Sequence, residues 1–154
     1  MTSPEERIVE LGLQLPGVAA PLASYVPTAR AGSLVYTAGQ LPIVEGELVE
    51  TGRVGSEVTP ERAAELARIC ALNAIAAVKA EVGELSRVTR IVKVVGFVAS
   101  SADFYGQPQV VNGASDLLGE VFGEAGRHAR SAVGVAVLPR NAPVEVELIA
   151  EVGQ

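Results

Sequence analysis

Arg130 stands at the head of an apolar run, and Glu145 and Glu147 lie two apart in a run that alternates apolar and polar residues. These are the residues whose types and spacing could do chemistry. An arginine presents a planar fork of donors that can grip a carboxylate through two hydrogen bonds. A carboxylate nearby can orient a water, act as a general base or relay a proton. The stretch that must position them reads RHARSAVGVAVLP at 127–139 and VEVELIA at 144–150. Ser131 to Leu138 is apolar and rich in small residues until Pro139, whose missing N–H ends a sheet ladder. Val144, Val146, Leu148 and Ala150 alternate with Glu145, Glu147 and Ile149, the period-2 pattern of a half-buried strand. With only Arg140 to Pro143 between them, the pattern predicts an antiparallel hairpin that brings Arg130 near both acids.

Each of these residues also has an ordinary explanation. An arginine at a strand start is usually a surface or salt-bridge residue. By periodicity Glu145 and Glu147 are equal candidates, and either could be the polar face of an edge strand. His128 is the only histidine and precedes Arg130 by two residues, so its ionisation could tune a site there. A rim or structural histidine is the commoner outcome. Cys70, the only cysteine, sits in an apolar segment and reads as inert core; alone it excludes an internal disulfide and a thiolate metal cluster.

The elements around this stretch follow from local signals. Ser3, Pro4 and Glu6 form a capping box that opens a short helix ended by Gly12, within an N-terminal extension over 1–16. Ser24–Arg30 and Ser33–Ala38 read as strands turned at Ala31-Gly32, and a second short hairpin turns at Glu45-Gly46. Thr59 caps a long helix that starts at Pro60 and stops at Gly83. A strand over Thr89–Ala99 follows, then a helix from near Pro108 with Val111, Ala114, Leu118 and Val121 on its core face. The order βββ-α-β-α-ββ predicts an α+β sandwich, two helices on one face of a mixed sheet.

Composition narrows the function. The chain has 154 residues, which predicts one domain over 1–154 with a sizeable core. With 49% apolar and 19% charged residues, disorder is excluded. A net charge of −6 disfavours nucleic acid and anionic membranes as partners. The greasiest stretch, Ala63 to Val82, is broken by Glu65, Arg68, Asn73 and Lys79, so it predicts no membrane span. Glu5, Glu6, Arg7 and Glu10 stand where a signal peptide needs apolar residues, and a cytoplasmic protein is expected. The long helix is apolar around most of its circumference, as is a sheet with apolar positions on both faces. Both features predict self-association, most economically as a closed symmetric assembly.

Together, RSAVGVAVLP, VEVELIA and SYVPTARAGSLVYTAGQLP at 24–42 resemble the Rid (reactive intermediate deaminase) family, also called the YjgF family. The resemblance runs from about Leu22 to Val152, with the N-terminal helix marking a longer branch. It implies a chorismate-mutase-like fold and a homotrimer with pockets at subunit interfaces. It further implies hydrolysis of 2-imino acids, or their enamine tautomers, to 2-oxo acids and ammonia, without metal or organic cofactor. By the same resemblance Arg130 binds the substrate carboxylate and Glu145 is the pocket glutamate. Gly39 turns its backbone to the substrate, Tyr25 is the pocket tyrosine, and Asn112 is the asparagine of the second helix. Two positions depart from the family: Ala38 replaces a serine and Ala132 a cysteine, and RHAR replaces a Pro-Ala-Arg entry.

That chemistry suits these residue types. A 2-imino acid carries a carboxylate for an arginine fork and an electrophilic C=N carbon for water. Three classes remain: an imine deaminase, a non-catalytic module that binds a small carboxylate, and an endoribonuclease. The acidic charge and the lack of a basic aromatic platform count against the last.

Overall fold

The computed structural model describes residues 2–18, 20–21 and 23–153. Leu22, where the family resemblance begins, lies outside the described residues, as do the two terminal residues. Helix α1 (Pro4–Glu10) is closed by the capping box: the Ser3 hydroxyl accepts the Glu6 N–H at 3.1 Å, and the Glu6 carboxylate accepts the Ser3 N–H at 3.2 Å. Helix α2 (Pro60–Val82) starts with Thr59 Oγ1 accepting the Arg62 N–H at 3.1 Å. It stops at Gly83, whose φ of +92° lies where side chains are strained. Helix α3 (Gln107–Phe122) presents Val111, Ala114, Leu118 and Val121 to the core, as their spacing predicts.

Strands β1 (Thr28–Ala31), β2 (Leu34–Thr37), β5 (Val88–Ala99), β6 (Ala129–Val135) and β7 (Val144–Val152) build one sheet in the order β1-β2-β7-β5-β6. The two-residue strands β3 (Ile43–Val44) and β4 (Glu47–Leu48) form the separate small hairpin at Glu45-Gly46. All pairs in the main sheet are antiparallel except β5 with β6, which is parallel. The fold is thus α+β, with a mixed sheet and its two long helices on one face.

The hairpin expected between the last two strands does not form. β6 lies parallel to β5 at the sheet edge, and β7 enters between β2 and β5. The physical reason is where β6 ends. It stops at Val135 rather than Leu138, so residues 136–143 connect the strands, enough chain to step past β5. Arg140 and Asn141 turn it with φ of +59° and +61°. The small residues of β6 also bury too little for an interior strand, whereas β7 has five buried apolar residues on its helix-covered face. β5, α3 and β6 form a strand-helix-strand crossover, the standard way to join parallel neighbours.

Helix α2 also departs from expectation. Its apolar circumference is buried within the chain: Leu66, Ala67, Cys70, Ala71, Ala74, Ile75 and Val78 are all at most 1% exposed. The sheet takes one side and α3 another. Asn73 Nδ2 ties it to the carbonyls of Leu41 and Ile43 at 3.1 and 3.0 Å. α1 docks beside it through Lys79 Nζ on the Glu5 carboxylate at 2.8 Å. Of the apolar residues of α2, Ile69 and Leu72 are only partly buried. No described helix packs on the second face of the sheet, where Tyr36 and Val133 are exposed and Val95, Phe97 and Ile149 are half-covered. Among the described residues, no helix is long and apolar enough to cross a membrane.

Candidate functional site

The five residues singled out by the family resemblance gather into two groups, on opposite faces of the sheet. Arg130 pairs with Val94 of β5, a buried residue of the helix-covered face, and its side chain reaches α3. Glu145 pairs with Phe97, which points to the other face. β5 also separates their two strands.

The first group centres on the guanidinium. Arg130 Nη1 donates to Asn112 Oδ1 at 2.7 Å and to Ser115 Oγ at 3.2 Å, and Nη2 donates to the Pro108 carbonyl at 3.3 Å. An arginine has five N–H donors. Three are used among the described residues, and the two left over are Nε–H and one on Nη2. These share one edge of the guanidinium, the geometry that grips a carboxylate bidentately. Asn112 therefore acts on Arg130 within the chain. Ser115 was not singled out by the sequence reading; its signal is the i, i+3 spacing from Asn112, which puts both on one helical face. His128 completes the group, with Nε2 at 2.8 Å from Ser115 Oγ and Nδ1 at 2.7 Å from the Gly126 carbonyl.

The second group lines an open concavity of about 790 Å³. Tyr25, Val26, Ala29, Tyr36, Leu41 and Pro139 supply its apolar walls, with Ala38, Gly39 and Glu145 at its base. Tyr25 lies in the turn before β1 rather than in a strand, because β1 begins only at Thr28. The chain leaves regular pairing after Thr37, whose Oγ1 accepts the Leu148 N–H at 3.0 Å, and regains β7 at Gln40 opposite Val146. Ala38 and Gly39 bulge between these points, which brings the Gly39 backbone against the Glu145 carboxylate. A Cβ at Gly39 would collide with that carboxylate. What glycine permits here is the close approach of the carboxylate; its φ makes no demand for glycine.

Burial lifts the Glu145 carboxyl above its ordinary range, and the like charge of Glu147 adds to the shift. A carboxylate so raised is a stronger base than a solvated one. Glu147 shares this face but is not among the residues that line the concavity. Burial pushes the Cys70 thiol well up, with the Glu145 charge contributing, so it is no nucleophile. Among the described residues no cluster of histidine, cysteine, aspartate or glutamate could hold a metal ion.

Comparison with known proteins is consistent over nearly the whole chain. Residues 5–152 match the family described as "YjgF/chorismate mutase-like, putative endoribonuclease". Protein TCP17 of Trypanosoma cruzi is 46% identical over 142 residues, covering 92% of this chain and 89% of that protein. The crystal structure of Atu1372 from Agrobacterium tumefaciens superposes with a TM-score of 0.91 at 47% identity, covering 97% of this chain and 92% of that one. The structure of Escherichia coli TdcF with bound serine gives 0.63 at 26% identity, over 87% and 92% of the two chains.

Proposed function

The chain belongs to the YjgF/chorismate mutase-like family, and on that footing we propose that it hydrolyses reactive 2-imino acids, or their enamine tautomers, to 2-oxo acids and ammonia. The observation that carries this reading is the unused Nε–Nη2 edge of an Arg130 guanidinium whose other donors are pinned to α3. Such an edge suits a small carboxylate, and the TdcF relative was crystallised with serine, a molecule that carries one.

The carboxylate of the imino acid lies on Arg130, which fixes the position of the C=N carbon. Glu145, in carboxylate form, takes a proton from water as the oxygen attacks that carbon, and the imine nitrogen is protonated. In the resulting carbinolamine Glu145 returns its proton to the amine nitrogen; the C–N bond then breaks, ammonia leaves, and the freed Glu145 carboxylate takes the hydroxyl proton as C=O forms. Orienting water against a held electrophile accounts for much of such a rate, up to ~7–11 kcal/mol for well-oriented reactions.

Because Arg130 and Glu145 face opposite ways in one chain, this chemistry needs the Arg130 edge of one subunit against the Glu145 concavity of another. The two patches differ, so the contact is head-to-tail, an arrangement that makes a ring where its rotation closes. A homotrimer is the ring we propose, with the uncovered sheet face as its interface. The substrate pocket then comprises Arg130 and Asn112 from one copy, and Tyr25, Gly39 and Glu145 from the next.

A coupled assay with freshly generated 2-iminobutyrate tests the reading. The parent should accelerate ammonia release; Arg130→Ala should abolish both turnover and 2-oxobutyrate binding. Glu145→Gln should keep binding and lose ~10²–10⁴-fold in rate, the usual span for a general base. A parent that binds 2-oxobutyrate yet hydrolyses no imine is instead a binding module, the reading that Ala38 without its hydroxyl favours. Salt-sensitive RNA cleavage by the parent would point to the endoribonuclease class.

A further inference from the structure

Arg130 is held by a chain of hydrogen bonds whose directions can be worked out donor by donor. The Gly126 carbonyl can only accept, so His128 carries its proton on Nδ1. An uncharged ring so tautomerised offers Nε2 as an acceptor, and the Ser115 hydroxyl, 2.8 Å away, is the group placed to donate to it. With its single proton committed, Ser115 Oγ turns its lone pairs toward Arg130 Nη1 at 3.2 Å. With the ring uncharged, every group in the sequence Gly126–His128–Ser115–Arg130 has one role. Gly126 is itself fixed, since a Cβ there would collide with the Leu118 carbonyl of α3.

We propose that Ser115 and His128 are positioning residues that aim the free edge of Arg130 at the substrate carboxylate, with His128 working as the neutral Nδ1–H tautomer. This rests on the reading of Arg130 as the carboxylate clamp. Asn112 on Nη1 and the Pro108 carbonyl on Nη2 each hold one corner of the guanidinium at 2.7 and 3.3 Å; Ser115, a second acceptor on Nη1, takes that nitrogen's other N–H and fixes the plane more tightly. Protonating His128 would reverse the Ser115 bond, since Nε2 would become a donor, and would place a second cation beside Arg130. The clamp thus depends on an uncharged ring two residues away in sequence and one hydroxyl away in space.

The test has two independent arms. Imine hydrolysis and 2-oxobutyrate binding are measured for the parent, Arg130→Ala, Ser115→Ala, Ser115→Thr, His128→Leu and His128→Gln. Ser115→Ala and His128→Leu should each raise KM and weaken 2-oxobutyrate by about tenfold, with kcat falling less, as expected for a lost hydrogen bond to a charged group. His128→Gln, which restores an acceptor, and Ser115→Thr, which restores the hydroxyl, should recover most of the loss. A fold-level defect would not respond to such rescue. If Arg130→Ala itself binds 2-oxobutyrate like the parent, the clamp reading fails and takes this inference with it. If Arg130→Ala loses binding while Ser115→Ala and His128→Leu do not, this inference alone is overturned.

The second arm needs no variant. The chain has one histidine, so the ring nitrogens of uniformly 15N-labelled protein give one assignable NMR pattern. A protonated Nδ1 with a bare Nε2 at neutral pH supports the chain of bonds as drawn. A proton on Nε2 in the neutral ring, or a doubly protonated ring at neutral pH, overturns it.

Discussion

Glu145 and Glu147 sit two residues apart on one strand face, and their mutual repulsion has a measurable consequence. Burial first, then the Glu147 charge, raises the Glu145 carboxyl above its ordinary value. If the carboxylate form is the base, the acid limb of kcat/KM follows that raised value. Glu147→Gln removes the like charge, so Glu145 should ionise at lower pH and the limb should move acidwards. A pH–rate profile checks the sign: an unmoved limb would mean that another group sets it. The same shift bears on folding. A carboxyl whose folded pKa exceeds its unfolded one stabilises most at low pH and loses that contribution as pH rises through the window between the two.

Gly39 offers a second prediction at this scale. Its backbone has no positive-φ requirement, so Gly39→Ala is tolerated by the chain but drives a methyl into the Glu145 carboxylate. Displacing a catalytic group by about 1 Å costs about 100-fold. Turnover should therefore fall by that order with little change in Tm. Full activity in Gly39→Ala would show that the carboxylate can move without penalty.

At the scale of elements, α2 and α3 are brought together by a missing side chain. A Cβ at Gly113 would strike the Ala64 carbonyl on α2, whereas one at Gly119, on the same helix, would meet nothing within 4 Å. Gly113→Ala should therefore destabilise by about 1–3 kcal/mol through overpacking. Gly119→Ala should stabilise by about 0.5–1 kcal/mol, through helix propensity alone. Urea midpoints for the two variants should move in opposite directions. Since Asn112 and Ser115 flank Gly113, the first substitution should also weaken 2-oxo acid binding by tilting the surface that holds Arg130.

For the whole molecule, the opposed faces of Arg130 and Glu145 make an assembly prediction that a site within one chain cannot share. Arg130→Ala and Glu145→Gln are each expected to be inactive. Mixed, unfolded and reassembled, they should form some interfaces that take Arg130 from one variant and Glu145 from the other. Random mixing of a head-to-tail ring makes this about a quarter of interfaces. Activity should return to about that fraction of the parent's, and light scattering should give about three chain masses. No recovery from a correctly sized mixture would place both residues in one subunit's site, and a stable micromolar monomer would remove the interface altogether.

The fold class, the helix caps at Ser3 and Thr59, the stop at Gly83 and the buried face of α3 were all legible in the sequence. Each depends on neighbours within a few residues, where capping bonds, φ restrictions and periodicity act directly. Arg130 and Glu145 were picked out as candidates because their residue types fit the proposed chemistry and the surrounding blocks resemble the family; their roles are the proposal that the variants above test. What the tertiary structure alone decided was non-local. Strand pairing between β6 and β7 looked like a hairpin because short connections usually make one. The choice fell instead on which strand could fill the interior, and the apolar face of β7 buries far more than the small residues of β6. That exchange sent Arg130 and Glu145 to opposite faces, and the packing of α3 brought Ser115 onto the Arg130 guanidinium and His128 onto the Ser115 hydroxyl. Periodicity records which residues are buried, but not against what, and α2, apolar round most of its circumference and buried for the most part by its own chain, is the plainest case.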